Sequence, residues 1–138
     1  MDEQSDKRLA YALARLGLGI NIAIHGWSRI PHFADFAKHL HEQFATTFLP
    51  APIIQLTAYL IVAAESTIGP LVILGLFLRA ALTAGSLLIC MLLFGTCLVQ
   101  NWSVAGDQLV YLAFFTALLA LRQFDAWSID SLRLRSAP

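Results

Sequence analysis

Four apolar stretches, at about 9–30, 50–78, 80–100 and 106–121, leave this chain little choice of solvent. A helix rises about 1.5 Å per residue and needs roughly 20 apolar residues to cross a bilayer. The last stretch, about 16 residues long, falls a little short of that. Hydrophobic residues make up 58% of the 138 and charged residues 13%, where a soluble domain is about a quarter charged. One soluble core of this size cannot hide so much apolar surface, so lipid must solvate part of it. The expected fold is all-α: an integral membrane four-helix bundle forming a single domain, 1–138.

The opening segment, Met1 to Arg8, is polar, and the apolar run after it is too long for a signal-peptide core. The first helix is therefore expected to stay in the protein. Pro31 ends that span. Between Pro31 and Thr47, Phe33, Phe36, Ala37, Leu40 and Phe44 recur at spacings of three and four among charged residues and histidines. This is a short amphipathic helix, expected to lie on the membrane surface between spans one and two, aromatic side down. The tail beyond Leu121 is also amphipathic, with Arg122, Asp125, Trp127, Asp130, Arg133 and Arg135.

Lysine and arginine placement orients the bundle. Lys7, Arg8, Arg15, Arg79, Arg122, Arg133 and Arg135 fall on one side, and only Arg29 and Lys38 on the other. Both termini are expected in the cytoplasm of a bacterial cell, with the protein multi-pass in the inner membrane. The histidine-rich stretch and an Asn101–Asp107 loop then face the periplasm. Arg15 lies in the first third of its span and is expected to snorkel to headgroups. A net charge of zero argues against nucleic acid.

Charged and polar side chains inside lipid are costly and usually face a partner. His25 and Arg29 share a face of the first helix. Glu65 falls near the middle of the second span. Thr96, Gln100, Asn101 and Trp102 close the third, and Gln108 and Tyr111 open the fourth. All four spans thus bring polar groups to the outer half of the bundle. A binding pocket lined by His25, Arg29, Glu65, Thr96, Gln100, Trp102, Gln108 and Tyr111 is the expectation. The alternatives are structural. Glu65 can pair with Arg29 or His25 and pin the bundle, and Gln100, Trp102 and Tyr111 lie where interfacial belts form.

His32, His39 and His41 fall outside the spans, and His39 and His41 point to different sides of a helix. They suit solvent or headgroups rather than a metal, so no metal site is assigned, and no catalytic residue. One intramembrane histidine is too few for a bis-histidine haem. No Cys-x-x-Cys, phosphate loop or dinucleotide fingerprint is present. Cys90 and Cys97 are ~10 Å apart along a helix, beyond the reach of about 7 Å for a disulfide. Both are expected to be small packing residues. Four short helices enclose little space, so a channel would require an oligomer.

His25-Gly26-Trp27-Ser28-Arg29 ends the first span. Glu65-Ser66-Thr67-Ile68-Gly69-Pro70 is followed by Leu74-Gly75-Leu76 and a basic turn at Arg79. This resembles the DoxX family of small four-helix membrane proteins, which includes DoxD-like subunits. Gly26 with Arg29, then Glu65, Gly69, Gly75 and Arg79, carry the resemblance. Phe94-Gly95-Thr96, Gln100-Asn101-Trp102 and Gly106-Asp107-Gln108 are similar to one subgroup. It covers residues 8–122. Among such proteins are ones similar to the membrane subunit of thiosulfate:quinone oxidoreductase. The resemblance implies an accessory or quinone-interacting subunit of a membrane redox system, with no intrinsic cofactor and a quinone as ligand. Arg29 or His25 would hydrogen-bond a quinone carbonyl, Glu65 or His25 would pass protons, and Trp102 or Tyr111 would pack the ring. A protein partner or a homo-oligomer is expected alongside the lipid bilayer. The competing expectations are a non-catalytic scaffold that recruits a partner, and a small-solute or lipid-handling protein.

Overall fold

In hydrocarbon a backbone must satisfy its own N–H and C=O groups, which favours helices. The computed structural model describes residues 2–136, and every element in that range is helical. In chain order these are α1 (Glu3–Arg29), α2 (Phe33–Phe44), α3 (Ala51–Leu74), α4 (Leu78–Leu98), α5 (Trp102–Ala120), a 3₁₀ turn (Arg122–Phe124) and α6 (Ile129–Ser136). Helices α1, α3, α4 and α5 are each long and apolar enough to cross a membrane. The chain is an all-α membrane bundle.

Two span boundaries differ from expectation, each because of a cap. The second span stops at Leu74, not Leu78. Gly75 adopts φ 64°, and its N–H turns back to the Leu71 and Val72 carbonyls, a left-handed cap that glycine takes without strain. Helix α4 then starts at Leu78. The Asn101–Asp107 loop is helix instead. The Asn101 side chain accepts the Val104 N–H at 3.3 Å, an N-cap that starts α5 at Trp102. The fourth span thereby reaches 19 residues.

Helices α1 and α3 form the most extensive contact. A Cβ on Gly26 would stand 2.4 Å from the Ser66 backbone nitrogen, and one on Gly69 2.4 Å from that of Ala23. A Cβ on Gly19 would meet Ile73 Cγ1 at 2.7 Å. Gly19 faces Ile73, Ala23 faces Gly69 and Gly26 faces Ser66, so the helices run antiparallel with backbones nearly touching. Small residues permit this approach, which packing in lipid relies on. Around it Leu18, Ile22, Ile68, Val72, Leu82 and Phe115 form the core. Phe115 is buried against Gly85, where a Cβ would lie 2.2 Å from its ring. Cys90 and Cys97 are free and exposed. They lie outside the packed core, contrary to expectation, because α4 turns other residues inward.

Arg15 also departs from expectation. It is buried and does not snorkel. Its Nη1 donates to the Val72 and Ile73 carbonyls (3.0 and 2.8 Å), and Nη2 to the Trp127 carbonyl (3.0 Å). The last-turn carbonyls of α3 carry the negative end of its dipole, which favours a cation there. Nearby, the Asp130 carboxylate accepts the N–H groups of Phe77 (3.1 Å) and Leu78 (2.7 Å), and the Asp130 N–H donates to the Gly75 carbonyl. Phe77 has φ 48°, and this carboxylate holds it there. The tail thus closes the α3–α4 turn.

The aromatic face of α2 is turned onto the bundle rather than onto lipid. Phe33 stacks on Tyr59 of α3 with centroids 4.5 Å apart. His41 Nε2 lies 3.1 Å from Gln55 Oε1.

Gly69→Leu should destabilise the bundle by about 1–3 kcal/mol, the usual cost of overpacking. Gly17→Leu should be nearly neutral, because a Cβ there meets nothing within 4 Å. Unfolding of the two variants in detergent would check this, and equal midpoints would contradict the packing described. Asp130→Ala should cost about 1 kcal/mol, as a lost cap does, and should speed proteolysis of the tail.

Candidate functional site

One turn beyond Gly26 on α1, Arg29 reaches across to Glu65 on α3. The antiparallel register sets these two residues opposite each other. Arg29 Nη1 donates to Glu65 Oε2. The Glu65 side chain is only 4% exposed and that of Arg29 30%. The guanidinium also lies over the Phe36 ring of α2, 4.9 Å from its centroid, an attraction between cation and ring quadrupole. A buried carboxylate without its cation would be costly, so this pair is a fixed point of the bundle.

Two cavities open on the pair. The first, of about 300 Å³, lies between α2, α3, α4 and the start of α5. Phe36, Leu40, Phe44, Ile61, Met91 and Leu92 give it apolar walls. Arg29, Glu65, His39, Gln43, Asn101 and Gln108 supply its polar groups. The second, of about 280 Å³, lies on the α1–α5 side and is bordered by His25, Asp107 and Tyr111. Both share Arg29, Glu65, Leu92, Val104 and Gln108, so the ion pair is part of the wall of each. Thr96 fixes Gln108. Its hydroxyl lies 2.6 Å from Gln108 Oε1 and 2.9 Å from the Leu92 carbonyl, sharing one proton between them.

Of the eight residues expected to form a pocket, Arg29, Glu65, Thr96 and Gln108 line the first cavity, and His25 and Tyr111 line the second. The His25 and Tyr111 rings meet edge to face at 6.2 Å. His25 is exposed rather than buried, so it stands at the rim. Gln100 and Trp102 line neither cavity. Gln100 forms the turn between α4 and α5 with φ 55°, and Trp102, 66% exposed, points outward from the first turn of α5.

Sequence reasoning missed the contribution of α2. Phe36, His39, Gln43 and Phe44 line the first cavity, and His39 does so although it is exposed. The signal was the three-and-four spacing of the aromatic residues. It reveals an apolar face but not whether lipid or protein meets it. Met91 and Thr57 gave no signal, being ordinary residues within apolar runs. Among the described residues no cluster of three or more histidine, cysteine, aspartate or glutamate side chains is placed to hold a metal ion.

The arrangement offers hydrogen-bond donors and a carboxylate at the junction of two cavities with largely apolar walls. It can hold the polar end of an amphiphile. Compared with known families, residues 10–101 match the DoxX model. No curated protein and no solved structure matches the chain.

Arg29→Gln alone should destabilise the protein by about 3 kcal/mol, since it strands a buried carboxylate. Adding Glu65→Gln should recover most of that loss. A double-mutant cycle of unfolding in detergent would measure the coupling, and additive losses would show that the two side chains do not depend on each other.

Proposed function

The chain belongs to the DoxX family, and from that premise we propose that it is an accessory, quinone-interacting subunit of a membrane redox system. The observation that carries this reading is the buried Glu65 carboxylate, paired with the partly exposed Arg29 and bordering two cavities, the first with mostly apolar walls. Ligand sites are of this kind: apolar pockets with a few well-placed polar groups. A quinone needs a donor for each carbonyl oxygen and a slot for a flat ring. Arg29 and the Gln108 amide are such donors, and Phe36, Phe44, Met91 and Leu92 are suited to pack a ring.

In this reading Arg29 orients a carbonyl oxygen and stabilises negative charge on it. Its fixed position means little reorganisation is needed. Glu65 holds or releases a proton beside it, and His25, at the rim of the second cavity, relays protons to the aqueous side. Thr96 positions Gln108. Redox chemistry is supplied by the bound quinone and the partner protein. The lysine and arginine asymmetry supports cytoplasmic termini, a pocket in the periplasmic half, and a place in a bacterial inner membrane.

The test is titration of purified protein with a short-chain quinone. The double variant Arg29→Gln/Glu65→Gln is expected to keep the fold, which its unfolding in detergent checks, so its affinity reports on the site itself. It should bind at least about tenfold more weakly, or ~1.4 kcal/mol. Trp102→Phe should bind like wild type. Equal binding by wild type and the double variant would remove the assignment. A copurifying partner with no quinone binding would favour the scaffold reading, in which the pair only pins the helices.

A further inference from the structure

Outward-facing polar groups within the spans mostly answer to their own helix. Thr67, Thr83 and Thr116 are exposed, and each hydroxyl donates to the carbonyl four residues back, at 2.8, 2.9 and 2.8 Å. Asn21 of α1 does not. It lies twelve residues past Leu9 and nine short of Ile30, so roughly 18 Å and 13 Å from the two ends of the apolar run. That is close to the middle of a hydrocarbon layer about 30 Å thick. Asn21 is exposed, and among the described residues its carboxamide has no hydrogen-bond partner. The large exposed side chains around it, Leu13, Leu16, Ile20 and Ile24, are all apolar.

That setting requires a partner. Acyl chains can cover an apolar surface, but they offer nothing to a carboxamide, which carries two N–H donors and an acceptor oxygen. An amide left unbonded in an apolar medium is costly. Helix association in lipid draws on such side chains, which hydrogen-bond across the contact. The surface beside Asn21 also permits close approach. Gly17, one turn away on the same face, is exposed, and a Cβ there would meet nothing within 4 Å. Gly19 and Gly26, by contrast, are already filled by α3.

The carboxamide selects what that partner is. Two copies inserted with the same topology are related by an axis along the membrane normal. Helix α1 of one then runs parallel to α1 of the other, and each residue meets its counterpart at its own depth. A carboxamide is donor and acceptor at once, so two facing Asn21 side chains exchange N–H···O bonds and satisfy each other. A single asparagine in an otherwise apolar contact also sets its register. We infer that the chain forms a homodimer through the outward face of α1, centred on Asn21 and flanked by Leu13, Gly17, Ile20 and Ile24. This contact is separate from the Arg29–Glu65 site and does not depend on what that site binds.

The experiment uses the full chain in lipid vesicles at decreasing protein density, with monomers and dimers counted by single-molecule photobleaching. Asn21→Leu, which puts an apolar side chain against lipid, should weaken association about tenfold with no loss in unfolding midpoint. Asn21→Gln, which keeps the carboxamide, should retain most of the dimer. Oxidation should cross-link Ile24→Cys made in a Cys90→Ala/Cys97→Ala background. It should not cross-link the native Cys90 and Cys97, which are exposed on α4. Monomers at every density, or dimers unaffected by Asn21→Leu, would overturn the inference. So would cross-linking through Cys90 or Cys97 in place of α1. A monomer that copurifies with a different membrane protein, and loses it in Asn21→Leu, would overturn the homodimer in favour of a partner helix.

Discussion

Backbone contact between α1 and α3 sets the geometry that everything else uses. Where Gly26 meets Ser66 and Gly69 meets Ala23, there is no room for even one more carbon atom. Two helices held that closely cannot slide or rotate independently. The register therefore fixes what lies at either end of the contact. At one end Arg29 comes opposite Glu65. At the other Arg15 comes within reach of the last carbonyls of α3. Two arginines on one helix thus meet two different kinds of acceptor on the same neighbour. One finds a carboxylate beside a cavity, the other finds carbonyls inside a sealed turn.

The same helix shows how small residues serve opposite ends. On the side facing α3 they bring backbones together, so the dispersion lost with each side chain is regained from the neighbour. On the side facing α5 nothing moves in to replace what is missing, and open grooves remain on the surface. The difference lies in the partner. Helix α5 meets α1 over a smaller contact, in which the Tyr11 hydroxyl donates to the Leu118 carbonyl and the His25 and Tyr111 rings meet edge to face. The result is a rigid pair of helices along which a looser seam runs.

Much of this was legible in the chain itself. Hydropathy and length gave the number of spans, and the proline at 31 and the spacing after it gave α2. Depth along each span placed Arg29, Glu65, Thr96, Gln108, His25 and Tyr111 at one level, and each of the six borders at least one of the two cavities. Depth says nothing about direction around a helix axis. Gln100 and Trp102 share the level of the others but leave the bundle on another bearing. Arg15 carried the same ambiguity in reverse. Its distance from the helix start suggested a route to headgroups, and nothing in a one-dimensional reading reveals carbonyls contributed by residues 72, 73 and 127. The span boundaries near Gly75 and Asn101 were missed because a cap is a matter of φ and one hydrogen bond, which hydropathy does not register.

The clasp at the α3–α4 turn has a consequence for biogenesis. Asp130 and Trp127 emerge from the ribosome after all four spanning helices have been made. Until they arrive, the amides of Phe77 and Leu78 lack their carboxylate and the guanidinium in the first helix lacks one of its acceptors. Insertion of the spans can therefore run ahead of final closure, with the bundle held first by its glycine contacts. The last step of assembly is then local, a short segment folding back onto a turn laid down some fifty residues earlier.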